Sequence, residues 1–130
     1  HYVQCTRVTE LASAAEEAAR SVAELCRPWN AATVVSPALG ALLWGYELSR
    51  ALGADVRNLF VERPAGVTGA KFEFRRGFTL RPGERVILAE NVVTTGGSVL
   101  EAAEVVRQAG GVVAGYALIV DRSGGRFAPE

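Results

Sequence analysis

The stretch Glu90-Asn91-Val92-Val93-Thr94-Thr95-Gly96-Gly97-Ser98 carries the densest chemistry in this chain. It follows an apolar run, Val86 to Ala89, that reads as a buried strand, and it precedes a helical pattern that begins at Val99. A carboxylate at the end of a buried strand is costly to desolvate unless it has a partner, which suits Glu90 to hydrogen bonding with sugar hydroxyls. Gly96 and Gly97 let the backbone come close to a ligand. The new helix offers unpaired N–H groups and a partial positive charge to an anion, and Thr95 and Ser98 add hydroxyl donors. Together these parts read as a phosphate cradle with a sugar-binding carboxylate beside it. No Gly-Lys-Ser/Thr follows the glycines and no Gly-x-Gly-x-x-Gly follows a strand, so the run is neither a nucleotide P-loop nor a dinucleotide fingerprint. The plain alternative is an ordinary strand-to-helix turn, for which Ser98 and Glu101 have the spacing of a capping box.

The elements that must position this run alternate along the chain. Leu11, Ala15, Ala18, Val22 and Leu25 form an apolar stripe that predicts a helix over Thr9 to Arg27, capped by Thr9 and ended by Pro28. A strand is expected at Ala32 to Val35, a turn at Ser36-Pro37-Ala38-Leu39-Gly40, and a helix from Ala41 to Leu52 that buries Leu42, Tyr46 and Ser49 and stops at Gly53. Asp55 to Val61 reads as a strand. Arg63 to Gly77 is irregular, with Lys71, Arg75 and Arg76 interleaved with Phe72 and Phe74 like a hairpin arm. Pro82-Gly83 marks a turn, followed by a strand from Arg85 to Ala89, a helix from Val99 to Ala109, a strand from Val112 to Val120 and a polar loop, Asp121-Arg122-Ser123-Gly124-Gly125. Such alternation predicts an α/β fold with a mostly parallel sheet covered on both faces. Ligands of these sheets bind at the carboxyl ends of the strands, where the Ser36–Gly40, Glu90–Ser98 and Asp121–Gly125 loops fall together.

Composition narrows the classes further. The 130 residues are 49% apolar with zero formal net charge, enough for one domain with a full core and without the basic excess of a nucleic-acid binder. No apolar run is long enough to span a bilayer, and no secretory leader pattern is present. Cys5 and Cys26 read as two reduced thiols of a cytoplasmic protein. His1 is the single histidine, which argues against a His-based metal site or triad. The chain has no initiating Met and stops soon after a strand, so it is expected to be a single core domain, residues 1–130, of a longer protein.

The Val86–Ser98 run resembles the ribose-phosphate signature of the type I phosphoribosyltransferases, and the match sharpens to the orotate phosphoribosyltransferases over almost the whole chain. The resemblance places Glu90 at the first acidic position of the signature, Asn91 where the family usually carries Asp, Thr94 beside the base, and Thr95 to Ser98 around the 5′-phosphate. It makes Ser36-Pro37-Ala38 the start of a pyrophosphate loop, and residues 62–78 a mobile catalytic loop that is entered through Phe60-Val61-Glu62-Arg63 and left through Arg75-Arg76-Gly77-Phe78. His1 to Cys5 matches the end of an N-terminal strand segment. The implied fold is a five-stranded parallel sheet flanked by helices, with a small hood built from chain ends mostly outside this sequence. The implied reaction transfers the 5-phosphoribosyl group from phosphoribosyl pyrophosphate to orotate, giving orotidine 5′-monophosphate and pyrophosphate. Arg63 and Lys71 are the implied catalytic cations. Glu90, Asn91, Val92, Val93, Thr94, Thr95, Gly96, Gly97 and Ser98, with Arg63, Ser36, Pro37 and Ala38, would hold the donor. Thr94 and Arg122 would hold orotate. Mg²⁺ would be bound mainly through the donor, with no protein metal cluster, and the assembly would be a homodimer without nucleic-acid or membrane partners. Two alternatives stand beside this: a non-catalytic binder of the same donor, and a transferase for another base.

Overall fold

The computed structural model describes residues 3–129. The described chain begins with a single helical turn, α1 (Thr6–Thr9), and a longer helix, α2 (Ala12–Cys26), that runs into a short 3-10 turn at Arg27–Trp29. Then follow β1 (Thr33–Pro37), α3 (Leu42–Leu52), β2 (Arg57–Glu62), β3 (Glu73–Phe74), β4 (Arg85–Val93), α4 (Gly97–Gln108) and β5 (Val112–Asp121). The strands form one sheet in the order β3-β2-β1-β4-β5. β2, β1, β4 and β5 are mutually parallel, while the two-residue β3 runs antiparallel to β2 at the edge. The sheet is therefore mostly parallel rather than wholly so, because the hairpin arm at Lys71–Arg75 doubles back onto β2. β1 is followed in space by β2 on one side and β4 on the other, so the strand order reverses beside β1, and the crevice above that reversal is where open α/β sheets take ligands.

Alternation along the strands splits the core into two layers. Val35, Leu59, Val61, Val86 and Leu88 meet Val99, Ala102, Ala103 and Val106 of α4 on one face. Val34, Ile87, Ala89 and Ala117 meet Ala19, Ala23 and Cys26 of α2 and Trp44 and Leu48 of α3 on the other. Trp44 is fully buried and donates its indole N–H to the Ala117 carbonyl at 3.2 Å.

Several expected details shift. The predicted first helix is two helices, with Leu11 rather than Thr9 at the start of α2. Its inward stripe is Ala15, Ala19, Ala23 and Cys26, while Leu11 and Leu25 are exposed. Small side chains let α2 lie close to its neighbours, so the buried stripe is the alanine row and not the row with the largest residues. On α3 the buried residues are Trp44, Gly45, Leu48 and Ser49, and Tyr46 faces outward. β4 continues through Val93, four residues beyond the expected end, so Glu90 and Asn91 lie within the strand, with Glu90 beside Leu118 of β5. Of the expected N-terminal strand segment, His1 and Tyr2 fall outside the described residues, Val3 and Gln4 carry no regular structure, and Cys5 opens α1.

Candidate active site

Glu90 is almost fully enclosed, 9% exposed, near the carboxyl end of β4. Its carboxylate accepts the Asn91 backbone N–H at 2.9 Å. Burial raises its pKa above the usual carboxylate range, and that backbone hydrogen bond offsets part of the rise. Asn91 uses both ends of its amide: Oδ1 accepts the Val92 N–H at 3.0 Å, and Nδ2 donates to the Gly40 carbonyl at 3.2 Å.

The turn beyond β4 is shaped by one glycine. Gly96 takes φ +85° at the N-cap of α4, in the left-handed region, and a Cβ there would lie 2.6 Å from the Phe127 ring. Gly97 has no positive φ, and a Cβ there would meet nothing closer than the Thr95 hydroxyl at 3.6 Å. α4 begins at Gly97, two residues before the expected start. No side-chain cap forms at its N-terminus; the Thr95 hydroxyl accepts the Gly97 N–H at 3.3 Å. The Ser98–Glu101 capping box is therefore not made. Glu101 instead accepts the Phe72 backbone N–H at 3.1 Å and pairs with Arg63 at 2.9 Å. Left open for a ligand is a cavity of about 130 Å³ lined by Glu90, Val92, Val93, Thr94, Thr95, Gly96, Gly97, Ser98 and Val99. A helix N-terminus with glycine and hydroxyl groups around such a space can hold a phosphate dianion.

The loop after β1 brings a second set of amides to this edge. Ser36 and Pro37 belong to β1, and the Ser36 hydroxyl is buried against α3, where a Cβ on Gly45 would lie 2.7 Å from it. The Ala38 N–H is bound to the Val61 carbonyl at 2.8 Å. The Ser36 side chain and the Ala38 amide thus face the fold. The backbone N–H groups of the next residues, Leu39, Gly40 and Ala41, make no hydrogen bond among the described residues and are the ones this loop can offer to an anion. The Ala38–Leu39 peptide is cis.

At the end of β5 the Arg122 N–H donates to the Val93 carbonyl at 2.8 Å, which sets this loop beside the β4 turn. Asp121 accepts the Ser123 N–H at 2.8 Å, and hydrogen bonding from Ser123 holds its carboxyl below the usual range. A cavity of about 320 Å³ is lined by Arg122, Thr94, Asn91, Val92, Gly40 and residues Val3 to Thr6. Another, of about 300 Å³, is lined by Thr94, Thr95, Arg126 and Phe127. Thr94 borders all three spaces.

The sequence profile of the phosphoribosyl transferase domain matches residues 4–130. The chain belongs to the phosphoribosyltransferase family. It is 45% identical over 124 residues to a Pelotomaculum thermopropionicum protein named orotate phosphoribosyltransferase, covering 95% of this chain and 62% of that one. It is 48% identical over 128 residues to a Sphingopyxis alaskensis protein of the same name, covering 96% and 62%. The chain thus spans about 62% of the length of these curated relatives. The crystal structure of Mycobacterium tuberculosis orotate phosphoribosyltransferase in complex with inorganic phosphate superposes with a TM-score of 0.77 at 30% identity, covering 95% of this chain and 67% of that one.

Within this phosphoribosyltransferase fold, the two residues expected to be catalytic sit apart from the Glu90–Ser98 cradle. Arg63 stacks on the Phe72 ring at 3.9 Å and is held by Glu101 and the Ala70 carbonyl. Lys71 borders a separate cavity of about 160 Å³ with Phe72, Glu101 and Glu104, over α4. Arg75 pairs with Glu73, and Arg76 with Glu62, at 2.9 and 2.6 Å. Arg126 and Phe127 reach the site without having been singled out in the sequence. Their cue was available only in space: the Ser123 hydroxyl accepts the Phe127 N–H, and the Ser123 carbonyl accepts from Arg126, both at 2.8 Å, which folds the segment back over the turn.

Proposed function

We propose that this chain is the transferase core of an orotate phosphoribosyltransferase, moving the 5-phosphoribosyl group from phosphoribosyl pyrophosphate to orotate. The observation that carries this reading is the position of Thr94, shared by the phosphate-sized cradle on one side and the Arg122-lined cavity on the other. A ribose bridging the two would put its 5′-phosphate on the 94–98 turn, its hydroxyls near Glu90 and its anomeric carbon toward the base. In this reading Arg122 offers a forked cation to the orotate carboxylate, and the Leu39–Ala41 amides supply donors to the departing pyrophosphate. The names of the curated relatives support the same substrates.

Departure of pyrophosphate leaves a ribose with oxocarbenium character, which calls for cations around the anion and exclusion of water. Arg63 and Lys71 are assigned that work on a 62–78 loop that closes over the site, with release of Arg63 from Glu101 as part of the closure. Among the described residues no cluster of three or more His, Cys, Asp or Glu could hold a metal ion. We assign Mg²⁺ to the donor's own oxygens, with the Glu90 carboxylate on the wall of the cradle; when bound it would neutralise the polyphosphate. Leu39, Leu43 and Tyr46 are 81%, 60% and 52% exposed beside the pyrophosphate loop, and we assign this apolar face to a second copy of the chain. We assign a cytoplasmic location on the two free thiols, Cys5 and Cys26. Among the described residues no helix is long and apolar enough to cross a membrane.

Purified protein incubated with Mg²⁺, phosphoribosyl pyrophosphate and a panel of bases should release pyrophosphate with orotate and with no other base. Release with a different base would reassign the acceptor. Binding of the donor without any turnover would favour the binder reading, to which the ion pairs occupying Arg63, Arg75 and Arg76 lend some support.

A further inference from the structure

The Asn91 side chain is oriented by two backbone groups of fixed polarity. The Val92 N–H can only donate, so the atom facing it at 3.0 Å is Oδ1. The Gly40 carbonyl can only accept, so the atom facing it at 3.2 Å is Nδ2. The assignment of oxygen and nitrogen, which amide groups often leave open, follows from the partners themselves. The two contacts join segments 51 residues apart: the end of β4, which carries Glu90, and the loop whose Leu39, Gly40 and Ala41 amides are unpaired. Gly40 brings its backbone close to the amide, since a Cβ there would lie 3.4 Å from Nδ2. The thiol of Cys5 donates to the Asn91 carbonyl at 3.7 Å, a further contact on the same residue.

We propose that Asn91 is a positioning residue that ties the sugar end of the site to the pyrophosphate loop and so fixes the spacing between their two sets of anion donors. The inference rests on the donor-binding reading above. It explains why an amide, and not a carboxylate, suits this chain. Aspartate has the same shape but only acceptors, so it would set an oxygen against the Gly40 carbonyl. It would also place a second negative charge beside Glu90, which is already buried. A shorter hydroxyl could not span both partners, and an aliphatic side chain would satisfy neither.

The test compares wild type, Asn91→Asp and Asn91→Ala by hydrogen–deuterium exchange of the 38–42 segment and by calorimetric titration with pyrophosphate and with ribose 5-phosphate. Circular dichroism establishes that each variant is folded. Both variants should exchange the hydrogen-bonded amides on either side of Gly40, Ala38 N–H on the Val61 carbonyl and Leu42 N–H on the Leu39 carbonyl, about three- to tenfold faster, the factor expected from one lost hydrogen bond. Pyrophosphate affinity should fall by a similar factor, more in Asn91→Asp than in Asn91→Ala, while ribose 5-phosphate affinity changes less than twofold. Unchanged exchange in both variants overturns the tie. An equal loss for ribose 5-phosphate overturns the positioning role and makes Asn91 a direct sugar ligand. If wild type binds neither ligand, the site reading fails, and the exchange measurement still decides whether the tie exists.

Discussion

At the scale of single residues, the candidate site pairs a carboxylate whose pKa is raised by burial with a cation that has no carboxylate partner among the described residues. Arg122 borders the cavity next to Thr94, and among the described residues its guanidinium has no carboxylate partner. A charge-assisted hydrogen bond is worth roughly 1.5–3 kcal/mol, so Arg122→Ala should raise the KM for orotate about ten- to a hundredfold. The KM for the donor should change little, and steady-state kinetics with each substrate varied in turn would read the difference. Equal effects on both substrates would remove Arg122 from the base pocket. Glu90 makes a prediction with an opposite trade. Its folded pKa is raised by burial, so the folded state holds its proton more tightly than the unfolded chain does. The stability it contributes is therefore fully present below the unfolded carboxyl range and is lost as pH rises through the folded pKa. Glu90→Gln should melt higher than wild type at neutral pH, and that advantage should vanish in acid. The same variant should bind the phosphoribosyl donor more than tenfold more weakly, because a charged acceptor for sugar hydroxyls is gone. Thermal melts across pH, paired with donor titration, would check both halves. A variant that gained stability and kept its affinity would separate Glu90 from the sugar.

At the scale of elements, the β4–turn–α4 unit shows what a one-dimensional reading can reach. The chemistry of Glu90 to Ser98 was legible because residue types and order alone imply a strand, a glycine turn and a helix start. Which glycine the turn needs was not legible, because it depends on a residue far along the chain: the Phe127 ring lies against Gly96 and not against Gly97. The same limit explains the capping box. Ser98 and Glu101 have the right spacing, yet Glu101 is taken by Arg63 and the Phe72 N–H across the fold. The stripe on α2 was misplaced for a related reason, since close packing favours the alanine row over the leucines at Leu11 and Leu25. The loop after β1 was placed correctly as an element, but its free amides lie at Leu39–Ala41, beyond Ser36 and Ala38, because the β1 ladder and its bond to Val61 run further than the apolar run suggests. A substitution pair isolates the glycine question. Gly96→Ala forces a side chain into the left-handed region, at about 1–2 kcal/mol, and adds a clash with Phe127, so Tm should fall by several degrees. Gly97→Ala makes only an ordinary contact with the Thr95 hydroxyl, at 3.6 Å, and should stay within about 0.5 kcal/mol of wild type. Differential scanning calorimetry on the two variants would check this, and equal melting points would mean that Phe127 does not pack on the turn.

At the scale of the whole molecule, the two ends of the sheet are built for different work. The carboxyl ends of the strands carry the loops, the exposed threonines and the buried Glu90. The opposite end is closed by Glu84, just before β4, whose side chain is nearly inaccessible. Glu84 accepts from the Thr33 hydroxyl at 2.9 Å, from Arg57 at 2.9 and 3.0 Å, and from Arg81 at 2.9 Å. Its backbone carbonyl accepts the Val112 N–H at 2.8 Å, so one residue joins the starts of β1, β2, β4 and β5. Burial by itself pushes its carboxyl pKa up, but the hydrogen bonds from Arg81 and Thr33 and the Arg57 charge together hold it below the usual range. A lowered folded pKa means stability that is present above the unfolded carboxyl range and lost as pH falls through the folded value. Glu84 and Glu90 therefore respond to acid with opposite signs at opposite ends of the same strand. Glu84→Gln keeps the shape, leaves Arg57 and Arg81 without their shared anion, and should cost about 2–3 kcal/mol at neutral pH. The gap to wild type should close in acid, where Glu84 itself is protonated. Donor binding should be unaffected at a temperature where both proteins are folded, because the substitution lies at the far end of the sheet from the cradle. Denaturant unfolding at a series of pH values, with donor titration as the control, tests the separation. A loss of donor affinity in Glu84→Gln would show that the clamp and the site are mechanically coupled through β4, and a pH-independent loss of stability would show that Glu84 is not the acid-sensitive group of the fold.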